Sequence, residues 1–238
     1  MIAKDPKSAE IIKPILRGRD IKKYQVNFAD LWLIATHNGF KDKNGKKIEI
    51  IYIEDYPAIK KHLDKYWDKI SKRCDKGITP YNLRNCAYYE EFEKEKIVYP
   101  CIMGDGPRFY FDKNLTFPPA PANIITGNSI KYLISFLNSK LMFYSLQTFY
   151  MGGGIKNEFK TNNIEKIPIP KISPEKQKSF EKIGEQILLL KKAGKDTQQL
   201  EDKIDLMVYK LYELTYAEVK IVDPDFLMSE EEYESYEF

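Results

Sequence analysis

The chain is 238 residues long, 43% hydrophobic and 13% aromatic, with a mean hydropathy of −0.49; this excludes a disordered polymer and allows one large domain or a globular domain with a helical appendage. No run reaches the roughly 18 apolar residues of a membrane span, and residues 1–10 lack the apolar stretch of a secretory signal, so a cytoplasmic location with no membrane partner is expected. The formal charge is +3, but residues 229–238 hold five glutamates and no basic residue; without those five charges the body stands at +8, a balance that suits a polyanionic partner without requiring one.

In chain order, Lys13-Pro14-Ile15-Leu16-Arg17-Gly18-Arg19-Asp20-Ile21 is a basic segment punctuated by Pro and Gly, expected as a short helix or turn against a following sheet. Residues 30–36 and 47–53 read as strands, joined through the Gly- and Lys-bearing stretch 37–46 as a hairpin with a charged tip. Pro57 opens a helix whose apolar stripe, Ile59, Leu63, Trp67, Ile70 and Cys74, faces the core. Residues 96–103 predict a strand that ends at Gly104-Asp105-Gly106-Pro107. Residues 108–112 and 116–126 read as extended, the latter because Pro118, Pro119 and Pro121 forbid a helix. Ile130, Leu133, Ile134, Leu137 and Leu141 share one face of a helix from Ser129 to about Gln147, stopped at Met151-Gly152-Gly153-Gly154.

Ile167-Pro168-Ile169-Pro170 is a rigid extended connector, and a boundary is expected just after it. That divides the chain into a globular unit at 1–171, a helical hairpin at 172–216 and an acidic tail at 217–238. Ser173 is a good N-cap before Pro174. Phe180, Ile183, Ile187 and Leu190, then Leu200, Ile204, Met207 and Leu211, repeat at threes and fours on either side of Gly194, as coiled-coil-like seams do. The fold class is therefore α+β: a mixed or antiparallel sheet with flanking helices, followed by a C-terminal helical hairpin.

The search for chemistry returns little. Cys74, Cys86 and Cys101 are odd in number and widely spaced, which leaves neither a disulfide framework nor a CxxC metal site, and no metal is expected. His37 and His62 are the two histidines, read as a turn residue and a helix-boundary residue. Gly152-Gly153-Gly154 lacks the Lys and Ser or Thr of a phosphate-binding loop. Glu158-Phe159-Lys160 and Glu218-Val219-Lys220 have the Glu-x-Lys spacing of nucleases but no upstream Pro-Asp partner, so a stand-alone metal-dependent nuclease is only an alternative. What remains is basic and amide side chains interleaved with aromatics. Lys41, Lys43, Lys46, Lys47, Lys113, Lys156 and Lys160 are candidates for phosphate contacts, and Asn82, Arg84, Arg108 and Asn114 for base or groove contacts, since Arg pairs with guanine and Asn with adenine through two hydrogen bonds.

The 13–21 segment, Tyr56-Pro57-Ala58-Ile59-Lys60 with Leu63, Tyr81-Asn82-Leu83-Arg84-Asn85-Cys86 through Phe92, Lys96-Ile97-Val98-Tyr99-Pro100, Leu137-Asn138-Ser139 and Ile167-Pro168-Ile169-Pro170 follow one another in an order that resembles the TaqI-like C-terminal specificity domain of bacterial restriction-modification enzymes. The resemblance implies a target-recognition domain that binds double-stranded DNA and positions an adenine for a methyltransferase domain or subunit. It implies no catalytic residue and no cofactor in this chain, with S-adenosylmethionine and magnesium confined to the catalytic part. Members are normally the C-terminal regions of longer chains, so a fragment or a split subunit is expected. In a split subunit the hairpin seams would dock the methyltransferase or support self-association. The alternative from another class is a protein-interaction subunit in which that hairpin is the working part.

Overall fold

A computed structural model describes residues 1–150 and 158–238. The first elements are β1 (Ile12–Pro14), β2 (Ile21–Lys22), β3 (Gln25–Val26), β4 (Trp32–Ile34), β5 (Phe40–Lys41) and β6 (Lys47–Ile48). Helices α1 (Pro57–Asp64) and α2 (Trp67–Ile70) precede strands β7 (Lys96–Pro100), β8 (Tyr110–Asp112) and β9 (Ala122–Ile125). The chain continues through α3 (Ile130–Leu137), α4 (Lys140–Phe149), α5 (Thr161–Ile164), α6 (Pro174–Lys192), α7 (Gln198–Leu211), α8 (Tyr216–Val222) and α9 (Glu230–Ser235). Among the described residues every sheet pairs its strands antiparallel, beside one isolated parallel bridge at Ile15–Phe117, so the class is α+β as expected. No helix among the described residues is long and apolar enough to cross a membrane.

The chain builds two compact units from alternating segments. The first comprises 1–16, 28–95 and 113–117. Its β1 pairs with β4 in the register Ile12↔Ile34, and its β5 with β6 in the register Phe40↔Ile48. Ile11, Ile53, Tyr56 and Ile59 form its small core, with Ile34, Ile51 and Leu63 packed around them. Two expectations are corrected here and one is met in part. Residues 30–36 pair with the N-terminal strand rather than with 47–53, and the hairpin closes only at β5 and β6, entered at Gly39, which takes a left-handed φ of +75° and where a Cβ would lie 2.9 Å from the Ile48 carbonyl. The segment 13–21 contributes the end of β1, and the expected short turn follows it as a 3-10 helix at Gly18–Asp20, in the second unit. The helix expected from Pro57 to Cys74 breaks after Asp64, so of its stripe only Ile59 is fully buried, while Trp67 and Cys74 are exposed.

The second unit comprises 17–27, 96–112 and 118–238. Its sheet runs β8-β7-β9 with β7 buried at every residue, which removes the inside-outside alternation of a half-exposed strand. Lys96 and Asp112 lie opposite each other on β7 and β8, fully buried, with Nζ and Oδ2 3.0 Å apart. The single helix expected from Ser129 is two helices, α3 and α4, divided at Asn138-Ser139. Buried Asn138 donates to the carbonyls of Phe109 (2.9 Å) and Ile134 (3.1 Å) and accepts from the Phe109 amide (3.1 Å), while Ser139 caps α4 by accepting from the Met142 amide. The expected stop at Met151 lies outside the described residues.

Helices α6 and α7 are the expected hairpin, with Ser173 capping the first and Gly194 turning at φ +67° after it. Their seams, however, face inward. Phe180, Ile183, Ile187, Ile204 and Met207 are buried in the same core as Ile134, Phe136 and Leu137 of α3, the half-buried Leu200 and Leu211 pack against it, and Leu190 is half-buried. Gly184 brings α6 so close to α3 that a Cβ there would lie 2.3 Å from Ser135 Oγ. The expected docking surface is thus this chain's own core. The acidic segment is also folded: α8 and α9 each begin with a capping box, Thr215/Glu218 and Ser229/Glu232, and bury Val219 and Tyr233.

Candidate nucleic-acid interface

In the first unit the basic hairpin is set by its turn. Asp42 Oδ1 accepts from the amides of Asn44 (2.9 Å) and Lys46 (2.8 Å), its own amide donates to the Lys46 carbonyl, and Gly45 completes the loop at φ +79°. One carboxylate therefore orders a loop that leaves Lys41, Lys43, Asn44, Lys46 and Lys47 exposed. The Lys43 amide donates to Glu90 Oε2 at 2.8 Å, and Lys47 pairs with Glu49 at 3.0 Å. The stem rests on rings: Phe40 stacks on Tyr89 at 4.9 Å, and His37 meets both edge-on. A cleft of about 340 Å³ opens beside them. Burial holds the His37 imidazole below its ordinary pKa, so it is neutral at pH 7, and its Nδ1 accepts from the Gly39 amide at 3.2 Å.

A second loop, residues 76–85, is braced from beneath. Asn82 is buried; its amide donates to the Ile51 carbonyl at 2.8 Å, and its Oδ1 accepts from Thr79 Oγ1. Its carbonyl accepts from the Gly77 amide and the Arg73 guanidinium. Asn38 Oδ1 accepts from the Ile78 amide at 2.7 Å, and Gly77 has no room for a Cβ, which would lie 2.5 Å from Asn38 and 2.6 Å from the Leu83 carbonyl. The Leu83 amide donates to the Thr36 carbonyl, which ties the loop to the residues leading into the hairpin. Arg84 is exposed at the end of this loop.

The first unit thus carries Lys41, Lys43, Lys46 and Lys47 on one hairpin and Arg84 on the second loop, all exposed, together with the exposed Lys113 and Asn114. Asn82 belongs to the loop's interior, because its polar atoms are spent on internal bonds, and it is dropped as a groove contact. In the second unit Arg108 is half-buried with its guanidinium against Gly104, and Lys160 is exposed as the residue preceding α5. Lys156 lies outside the described residues. Glu158 Oε1 faces Cys101 Sγ at 3.9 Å, and among the described residues no group of three His, Cys, Asp or Glu could hold a metal ion. The roles of Asn38 and Asn82 as braces carried no sequence signal, since Asn38 acts on Ile78, 40 residues on, and Asn82 ties its own loop to Ile51, 31 residues back.

The first unit is built of short antiparallel pairs that hold polar, basic loops, an arrangement suited to a recognition module rather than to a catalytic one. The model of the TaqI-like C-terminal specificity domain matches residues 13–169. The Type II methyltransferase M.MjaIV of Methanocaldococcus jannaschii is 24% identical over 212 residues, covering 84% of this chain and 67% of that protein. The chain belongs to the family of TaqI-like C-terminal specificity domains, and its role is that of a restriction-modification specificity component.

Proposed function

We propose that this chain reads the base sequence of duplex DNA and positions an adenine for a methyltransferase domain or subunit of the same system, while contributing no catalytic residue. The observation that carries this reading is the pair of preordered basic loops in the first unit, residues 40–48 and 76–85, in a chain of this family. Ordering them in advance lowers the entropic cost of engaging a groove. Lys41, Lys43, Lys46 and Lys47 neutralise phosphates and set the register, Arg84 reads a base edge, and Arg108, Asn114, Lys113 and Lys160 are secondary contacts. S-adenosylmethionine, and magnesium where a nuclease is attached, belong to the catalytic partner. The buried hairpin seams weigh against the protein-interaction reading, since their apolar side chains are already used within this chain.

The test is selection from a random duplex pool at about 50 and 200 mM salt, with the retained DNA sequenced. Enrichment of a short motif with affinity that falls as salt rises is expected. Absence of binding at both salts, with and without the cognate methyltransferase, overturns the proposal.

A further inference from the structure

Resting on that reading, we infer that Ile78 is an apolar wedge that enters a base step of the bound duplex and unstacks it. Ile78 is 77% exposed, the most exposed large apolar side chain described in the first unit, yet it stands on one of the most firmly held turns there. Its amide is fixed by Asn38, and the preceding Gly77 is packed against Asn38 and the Leu83 carbonyl and bonded to Asn82. Beyond it, Thr79 accepts from the Tyr81 amide and donates to Asn82, and Arg73 holds the Pro80 and Asn82 carbonyls. A lone exposed isoleucine on a mobile loop would need no explanation. Here six or more bonds and a glycine-only contact hold one β-branched side chain, itself stiff about χ1, out in water a few residues from Arg84.

Once a phosphate-tracking surface has docked, an apolar side chain of this size gains burial between bases, and insertion of Ile, Leu or Phe at a step partly unstacks and kinks the duplex. The step that yields most readily is pyrimidine–purine, so the wedge also adds a preference for TA or CA at a position that Ile78 does not hydrogen-bond. Its role is one of positioning: a loosened step lowers the cost of bringing the neighbouring nucleotide out of the stack.

The experiment uses the duplex recovered by the selection above, with 2-aminopurine placed singly at each purine, and the full chain as wild type, Ile78→Ala and Ile78→Leu. The wild type is expected to raise fluorescence several-fold at one step and to bend the DNA by tens of degrees, while Ile78→Ala loses at least half of both, keeps the salt slope and leaves the melting temperature unchanged. Ile78→Leu retains them. Binding without any unstacked step, or equal unstacking by Ile78→Ala, overturns the wedge and leaves the reading of DNA intact. Failure of all three proteins to bind, with and without the cognate methyltransferase, overturns both.

Discussion

Asp205 carries a cost that depends on pH. Its Oδ1 accepts from the Lys140 amide at 2.7 Å, its Oδ2 is buried without a partner, and burial, only partly offset by Lys23 and Lys140 and reinforced by Asp223, pushes its carboxyl up to about 6. The fold favours the neutral form. The group's contribution is therefore fully present below the ordinary carboxylate value of 3.8 and is lost as pH rises to about 6. The loss is about 3 kcal/mol. Asp205→Asn keeps the acceptor for Lys140 and should raise stability to urea at pH 7.5 by up to that amount, with little effect at pH 4; an equal gain at both pH values would contradict the assignment. The Lys96–Asp112 pair behaves differently, because removing one partner leaves a buried charge without this countercharge. Lys96→Met should cost about 3–5 kcal/mol, and adding Asp112→Leu should recover most of it, measured by chemical denaturation. None of this is legible in sequence, where Lys96 and Asp112 look like two of many surface charges and only the pairing of β7 with β8 brings them together.

At the scale of elements, the sequence reveals most where order is local. The Ser173 cap, the Gly194 turn and the threes-and-fours spacing of Phe180 to Leu211 fix α6 and α7, but they say nothing about whether the seam meets another chain or the rest of this one. The break at Asn138 was hidden because leucine spacing runs through it, and the cause is a long-range bond to Phe109. Two predictions test this level. Asp42→Ala and Asp42→Asn remove the same charge from the basic hairpin, but only Asn keeps an acceptor for the Asn44 and Lys46 amides, so the alanine variant should bind the selected duplex several-fold more weakly than the asparagine variant. Equal affinity would show that turn order is irrelevant to binding. Gly184→Ala should gain helix propensity yet lower the melting temperature, because its Cβ meets Ser135 Oγ, and Ser135→Ala beside it should relieve part of the loss.

For the whole molecule, the composition indicated a folded body with an acidic end, and the end turns out to be structural. Removing residues 216–238 uncovers core contacts of Val219 and Tyr233 and the Lys140–Asp223 pair, and should destabilise the second unit by about 3–6 kcal/mol. A detachable tail would leave amide exchange in α7 unchanged. The division into two units was less visible, since linear reading looks for one boundary, and here the chain leaves one unit for the other after Leu16, Asn27, Glu95, Asp112 and Phe117. That interleaving bears on how target preference can be inherited. Both basic loops lie in one of the first unit's three stretches, 28–95, so an exchange of that stretch between genes would carry them together. It would leave behind β1, the partner of β4, so a transplanted pair of loops would have to fit a strand inherited from the recipient.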